Sequence, residues 1–245
     1  MGTVETMNAR DTILARVREA LRIPAPLPHL KSHDAAQATS TTGHPALAVL
    51  PLEVAKPWLP DGGDTPEERI ALVTDNLEKL RAVVRRVPDL QAAAYFLGSL
   101  ARDRGWKRLA CHAHPLVTPL VNGVPCATYH VDAPQCDKNH LEGCDAGITS
   151  CEAIVSQTGS ILVSSSTCGG RGLSILPHVH VVVATLDQIV PTLGDALHLA
   201  KDRHAGRMPS MLSFITGPSR TGDIERILVL GAHGPKELIV ILVDR

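Results

Sequence analysis

Two short runs, residues 178–184 (HVHVVVA) and 238–243 (LIVILV), are apolar at almost every position. A strand with one face in water alternates apolar and polar side chains. A strand-length run without alternation belongs to a sheet covered on both faces. The chain must therefore supply helices for both faces, and its helical and strand-like segments do alternate. That pattern predicts an α/β fold with a mostly parallel central sheet. With 245 residues, 44% of them hydrophobic, the chain is long enough to build such a core.

The first run closes a stretch, residues 145–185, that concentrates apolar segments, glycines and hydroxyls. Residues 152–156 and 161–164 are rich in Ile and Val and flank Gln157-Thr158-Gly159-Ser160. They read as a β-hairpin. Cys168-Gly169-Gly170-Arg171-Gly172 follows as a loop whose glycines allow close backbone approach to a ligand.

Upstream, residues 8–21 read as an amphipathic helix with the stripe Ile13, Leu14, Val17 and Leu21. Such a helix docks on its own domain, on a neighbouring subunit of a homo-oligomer, or on another partner. Residues 23–64 hold seven of the 18 prolines. That density is incompatible with helix or central strand. We expect an extended arm, giving residues 1–64 as helix plus Pro-rich arm and residues 65–245 as the α/β domain. Thr65-Pro66-Glu67-Glu68 combines a capping box with proline at the first helical position. The stripe Ile70, Val73, Leu77, Leu80 and Val84 extends that helix to about residue 87, before Pro88. Further expectations are a helix over 89–104, a strand over 107–111, a short helix over 115–121, an unassigned loop-rich segment over 124–144, and helix over 186–200 interrupted at Pro191. A strand over 211–216 and the loop Gly217-Pro218-Ser219-Arg220-Thr221-Gly222-Asp223 complete the order.

Composition excludes several classes. A net charge of −1 and 2% aromatic residues offer nothing to nucleic acid. No run approaches the ~20 apolar residues of a membrane span, and no secretory signal precedes the first helix. We expect a cytoplasmic protein with reduced thiols. Its six cysteines form no CxxC pair, so no cluster or zinc ribbon of usual spacing is written. Cys136, His140 and Cys144 have helical spacing, but a surface loop is the ordinary reading, and we assign no metal.

Two loops carry the candidate chemistry. Residues 164–172 offer hydroxyls, backbone N–H groups and the Arg171 guanidinium to a phosphate or carboxylate. In residues 217–223, Ser219 or Thr221 would cap a helix begun at Asp223-Ile224-Glu225, an arrangement that favours an anion. Ligands of open α/β sheets sit beyond the carboxyl ends of the strands, and both loops follow strands, so we expect them to converge there. Glu152 and His233 are the candidate acid–base or nucleophilic groups. Thr158, Gly159, Ser160, Gly170, Arg171, Gly172, Ser174, Gly217, Ser219, Arg220, Thr221, Asp223, Glu225 and Gly234 are the candidate ligand-binding set. No standard nucleotide loop is present, and no cofactor is named by these residues.

The blocks DAGITSCEAIVSQTGSILV, GRGLSILPHVHVVV, DQIV and FITGPSRTGDIERILVLGAHGPKELIVILV resemble the LUD (lactate utilization) domain family, lactate utilization protein C group, over about residues 65–245. The resemblance implies a three-layer sandwich similar to ribose-5-phosphate isomerase, glucosamine-6-phosphate deaminase (NagB) and CoA transferases. It implies a cluster-free subunit of a system oxidising L-lactate to pyruvate beside iron–sulfur partners, binding a small anionic metabolite or cofactor. The alternative is a stand-alone enzyme on a phosphorylated or CoA-linked molecule. Where the family usually reads glutamate-threonine-glycine, this chain has Gln157-Thr158-Gly159. Glu152 stands where the family more often has aspartate.

Overall fold

The computed structural model describes residues 9–20, 22, 60–132, 137–221 and 229–244. The chain divides into two compact units, Met1–Pro57 and Trp58–Arg245. In the first, helix α1 (Ala9–Ala20) exposes Ile13, Leu14 and Val17. The expected Pro-rich arm lies outside the described residues up to residue 59.

The second unit is built on a six-stranded sheet of order β1-β12-β7-β4-β2-β3, with every neighbouring pair parallel. Its members are β1 (Val83–Val87), β2 (Arg108–Cys111), β3 (Ala127–His130), β4 (Ala146–Thr149), β7 (Val179–Thr185) and β12 (Glu237–Val243). The two unalternated runs, β7 and β12, lie side by side at its centre. On one face Val181, Val183, Ile239 and Ile241 pack against α3 (Leu90–Asp103) and the short α4 (Thr118–Val121). On the other, Val182, Ala184, Val240 and Leu242 meet Val73 and Leu77 of α2 (Pro66–Lys79). Each such side chain contributes roughly 1.5–3 kcal/mol when fully buried, so the unalternated strands are energetically consistent only with cover on both sides.

The expected hairpin belongs to a second, four-stranded sheet of order β8-β5-β6-β9: β5 (Ala153–Val155), β6 (Ser160–Ser164), β8 (Ile189–Val190) and β9 (Leu212–Ile215). Ile154, Ile161 and Val163 join the core of the second face of the main sheet. Ala153, Val155 and Leu162 point the other way, onto Ala196 and Ala200 of α7 (Leu193–Arg203).

Several expectations are corrected. The helix from Thr65 stops at Lys79, and Arg81 takes a left-handed φ of 66°. Residues 83–87 then form β1, because this β-branched segment gains a full ladder against β12. The loop-rich segment contains β3 and α5 (Lys138–Glu142). The interruption expected at Pro191 is present, with α7 starting afresh on a Thr192–Asp195 capping box, but the residues before it form a 3-10 turn (Leu186–Gln188) and β8 and no α-helix. Arg171 opens the short helix α6 (Arg171–Ile175) instead of lying in a loop. Thr221 is in β10 (Arg220–Thr221), paired with β11 (Val229–Leu230); the helix expected from Asp223 lies outside the described residues.

Gly147 is demanded by this packing. A Cβ there would lie 2.3 Å from the Leu173 carbonyl oxygen and 2.9 Å from Pro177 Cγ. Only glycine lets α6 settle onto β4.

Candidate functional site

Two clefts flank the turn at Gly170 and Arg171. The first, about 610 Å³, lies beyond the carboxyl ends of β2, β3 and β4, lined there by His112, His114, Asp132 and Ser150. Ser165, Ser166, Thr167, Gly169 and Gly170 close it from the loop after β6. The Ser150 N–H donates to His112 Nε2 at 3.2 Å, with Ser150 Oγ 3.3 Å from the same nitrogen. The neutral His112 ring therefore carries its proton on Nδ1. Burial, reinforced by His114, pushes His112 down to about 4, so the ring is uncharged at neutral pH. His114 Nδ1 accepts the Leu116 N–H at 3.2 Å, which leaves its ring proton on Nε2. Burial first and Arg203 second lower His114 as well. Gly169, at φ 76°, packs so closely that a Cβ would lie 2.9 Å from His112 Cβ and 2.5 Å from Leu173 Cδ2.

Beneath this cleft sits Glu152, fully buried. Its carboxylate accepts from Thr167 Oγ1 and Arg203 Nη1, and His204 Nε2 lies 2.8 Å from Oε1. Burial alone would raise Glu152. Donors from Thr167, Ser164, His204 and Arg203 outweigh it and hold the group down to about 2. A carboxylate so enclosed is an anchor for charge and hydrogen bonds, not a proton acceptor at neutral pH. Arg203 keeps 43% of its side chain exposed and lines the cleft.

The second cleft, about 460 Å³, gathers Arg171 and Ser174 of α6, strand β9, the 217–221 turn and His233-Gly234-Pro235. Gly217 takes φ 88°. The Ser219 N–H donates to the Pro235 carbonyl at 2.9 Å, and Gly231 N–H to the Ser219 carbonyl at 3.0 Å. These bonds hold the two turns together. Arg171, Arg220 and His233 are exposed at its rim.

The structure thus brings Arg171, Ser174, Gly217, Ser219, Arg220, Thr221, His233 and Gly234 into one cleft. It lies beside the segments that enter β7 and β12, where the Lys236 N–H donates to the His178 carbonyl at 2.8 Å. This corrects the expected convergence of the two loops at the carboxyl ends: residues 165–170 close the first cleft there, whereas residues 217–221 line the second, and both loops follow strands of the second sheet. Gly170 and Glu152 go with the other cleft. Thr158, Gly159 and Ser160 line neither; they form the hairpin turn, with Thr158 Oγ1 donating to Ser160 Oγ at 2.8 Å. Gly172 faces Leu141. Asp223 and Glu225 lie outside the described residues, as does Cys136 of the Cys–His–Cys spacing. Among the described residues, no group of three or more His, Cys, Asp or Glu is arranged to hold a metal, and no helix is long and apolar enough to cross a membrane.

Sequence reasoning missed His112, His114, Ser150, Arg203 and His204. His112 and His114 directly follow the strand expected over 107–111, and no local pattern marks them as a site. Arg203 and His204 sit at the end of α7, where basic residues are expected simply to complement the helix dipole.

Comparisons with known proteins agree with this architecture. The lactate utilization protein C of Deinococcus radiodurans (strain ATCC 13939) is 32% identical over 158 residues, covering 62% of this chain and 70% of the relative. That of Bacillus subtilis (strain 168) is 32% identical over 124 residues, 50% and 52% of the two chains. That of Anoxybacillus flavithermus (strain WK1) is 34% identical over 105 residues, 42% and 46%. The chain spans about half the length of most of these curated relatives. The crystal structure of a DUF162 family protein from Deinococcus radiodurans superposes with a TM-score of 0.56 at 25% identity, covering 74% of this chain and 99% of that one. A family model described as the LUD domain matches residues 70–243, from within α2 to the end of β12. The chain belongs to the LUD domain family.

Proposed function

We propose that the chain is a cluster-free subunit of a cytoplasmic L-lactate utilization system, binding an anionic metabolite or cofactor between Arg171 and Arg220. The observation that carries the ligand part is the second cleft. Two arginines from segments far apart in sequence line one cavity together with the hydroxyl side chains of Ser174, Ser219 and Thr221. Arginine forks and hydroxyl donors suit phosphate or carboxylate groups. The curated relatives' names support the system, and iron–sulfur partners follow from the family resemblance.

The test is a thermal-shift panel on the full chain with CoA, ATP, sugar phosphates, pyruvate and L-lactate, beside Arg171→Ala and Arg220→Ala. A ligand at ~100 times its Kd stabilises by ~2.7 kcal/mol, a rise of roughly 5–10 °C for a domain this size. The expected result is a shift lost in both variants. A flat panel, or a shift that survives both, overturns the assignment. For the system itself, removal of the gene abolishes growth on L-lactate; unaffected growth refutes it.

A second reading, a stand-alone enzyme on a phosphorylated or CoA-linked substrate in a NagB-like fold, is favoured by the first cleft, which opens beyond the carboxyl ends of parallel strands. It predicts turnover by the isolated chain.

A further inference from the structure

The buried Glu152 and its partner Arg203 have no part in the reading above, and packing alone accounts for them poorly. A buried ion pair seldom stabilises a fold more than apolar residues of the same volume would. This pair is also lopsided. Glu152 is fully enclosed, whereas Arg203 is 43% exposed and opens onto a cavity. Its Nη1 is committed to the Glu152 carboxylate and lies 3.4 Å from the Glu152 carbonyl oxygen. Among the described residues, its Nε and Nη2 make no hydrogen bond. A guanidinium held by one nitrogen and free at the others is oriented in advance, so a planar acceptor binds it without ordering the side chain first.

We propose that the cleft at the carboxyl ends of β2, β3 and β4 is a second ligand site, taking a small monocarboxylate on the free N–H groups of Arg203 with His114 as a second donor.

Three features select this class. His114 keeps its ring proton on Nε2 because Nδ1 accepts the Leu116 N–H, so it offers a donor within the cleft that Arg203 also lines. The charge balance is low: Glu152 already neutralises Arg203, Asp132 adds a negative charge at the rim, and His112 and His114 are held neutral by burial. A doubly charged phosphate meets a field that is neutral to negative, whereas a singly charged carboxylate needs only a planar pair of donors. The cavity of about 610 Å³ leaves room for a short chain beyond the carboxylate. Ser150, Ser165 and Ser166 would there face hydroxyl or oxo substituents. Glu152 is the positioning residue in this arrangement, and Arg203 touches the ligand. The site shares no lining residue with the Arg171 cleft, so the two assignments stand or fall separately.

Ligand-observed NMR on the full chain tests this with propionate, glycolate and inorganic phosphate as probes. Both carboxylates bind, and Arg203→Gln weakens them by about 10- to 100-fold, the equivalent of a charged hydrogen bond of about 1.5–3 kcal/mol. Arg203→Lys retains the charge but loses the fork, and it weakens binding by about tenfold or more. In Glu152→Gln the Arg203 Nε–H signal, ordered in the parent chain, becomes mobile, and affinity falls although the guanidinium remains. No carboxylate binding by the parent chain overturns the proposal. So do affinity unchanged in both Arg203 variants, or phosphate binding more tightly than the carboxylates through Arg203.

Discussion

Replacing Glu152 by glutamine preserves shape and removes charge, and its effect on stability should depend on pH in a defined way. The folded value of about 2 lies below the ordinary 4.5. A depressed carboxylate stabilises the fold above its unfolded value and loses that contribution as pH falls through the folded one. The window is therefore about pH 4.5 down to 2. At ~1.36 kcal/mol per pH unit, the contribution at neutral pH is about 3 kcal/mol. Removing one partner of a buried pair costs ~3–5 kcal/mol when the other is stranded. Here Arg203 is half in water and rehydrates, so about 2–3 kcal/mol is the expected loss, or roughly 5–10 °C in Tm. The amide would also set an N–H₂ among the donors Thr167, Arg203 and His204. Urea unfolding of parent and Glu152→Gln chains at pH 7, 5, 4 and 3 measures this directly. The gap should be widest at pH 7 and narrow steadily below pH 4.5, as the parent approaches the variant. Two curves that run parallel down to pH 3 would refute the ion-pair account, whatever their separation.

Two other outcomes follow from packing. Gly147→Ala places a methyl 2.3 Å from the Leu173 carbonyl oxygen; overpacking costs ~1–3 kcal/mol and occasionally more, and this contact with backbone belongs at the upper end. Gly123→Ala meets nothing within 4 Å and should raise stability by ~0.4–1 kcal/mol, so thermal melts of the pair separate a steric role from a general glycine effect. Among the five described cysteines, burial pushes Cys111 up to about 12 and raises Cys144, Cys151 and Cys168, while Cys126 is only half-buried. Iodoacetamide at pH 8, read by peptide mass spectrometry, should modify Cys126 first among these five; faster labelling of Cys151 or Cys168 would mean that the cleft floor opens.

The elements legible in sequence were those whose local pattern and tertiary role agree. β7 and β12 announce themselves because every position of β7, and every position of β12 after Glu237, is buried, and α2 because Thr65 and Glu68 complete their capping box in fact. β1 was hidden because Val84 falls in helical step with Leu77 and Leu80, and as an edge strand it buries little of its own surface. β4 was hidden because Ala146-Gly147-Ile148-Thr149 is short and weak in strand propensity; its place is fixed by neighbours on both sides. The same limit applies to the clefts. Composition marked residues 164–172 as loop-like, but the reversal at Gly170, with φ 82°, sends the hydroxyls to one cleft and Arg171 to the other. No local signal encodes that division.

Gln157 has a structural part in the described fold. Its side chain is almost fully buried, and Nε2 donates to the Pro60 carbonyl at 2.7 Å. Ser156 Oγ donates to the Gly62 carbonyl, and Arg69 Nε to the Gly63 carbonyl at 3.0 Å. The first two bonds tie Pro60 and Gly62 to the hairpin, and the third ties Gly63 to α2. Restoring the glutamate implied by the family resemblance, Gln157→Glu, would set an acceptor against an acceptor. The lost bond and unsatisfied carbonyl cost ~1–3 kcal/mol, and the carboxyl escapes part of this only by staying protonated. Its folded value would then rise above the unfolded ~4.3. The penalty should therefore grow as pH rises from 4 to 7, opposite in sign to the contribution of Glu152 to the parent chain. Urea unfolding at those two pH values decides it. A variant as stable as the parent at pH 7 would mean that a carboxylate at 157 finds donors elsewhere, and the Pro60 clamp would no longer explain why an amide is tolerated here.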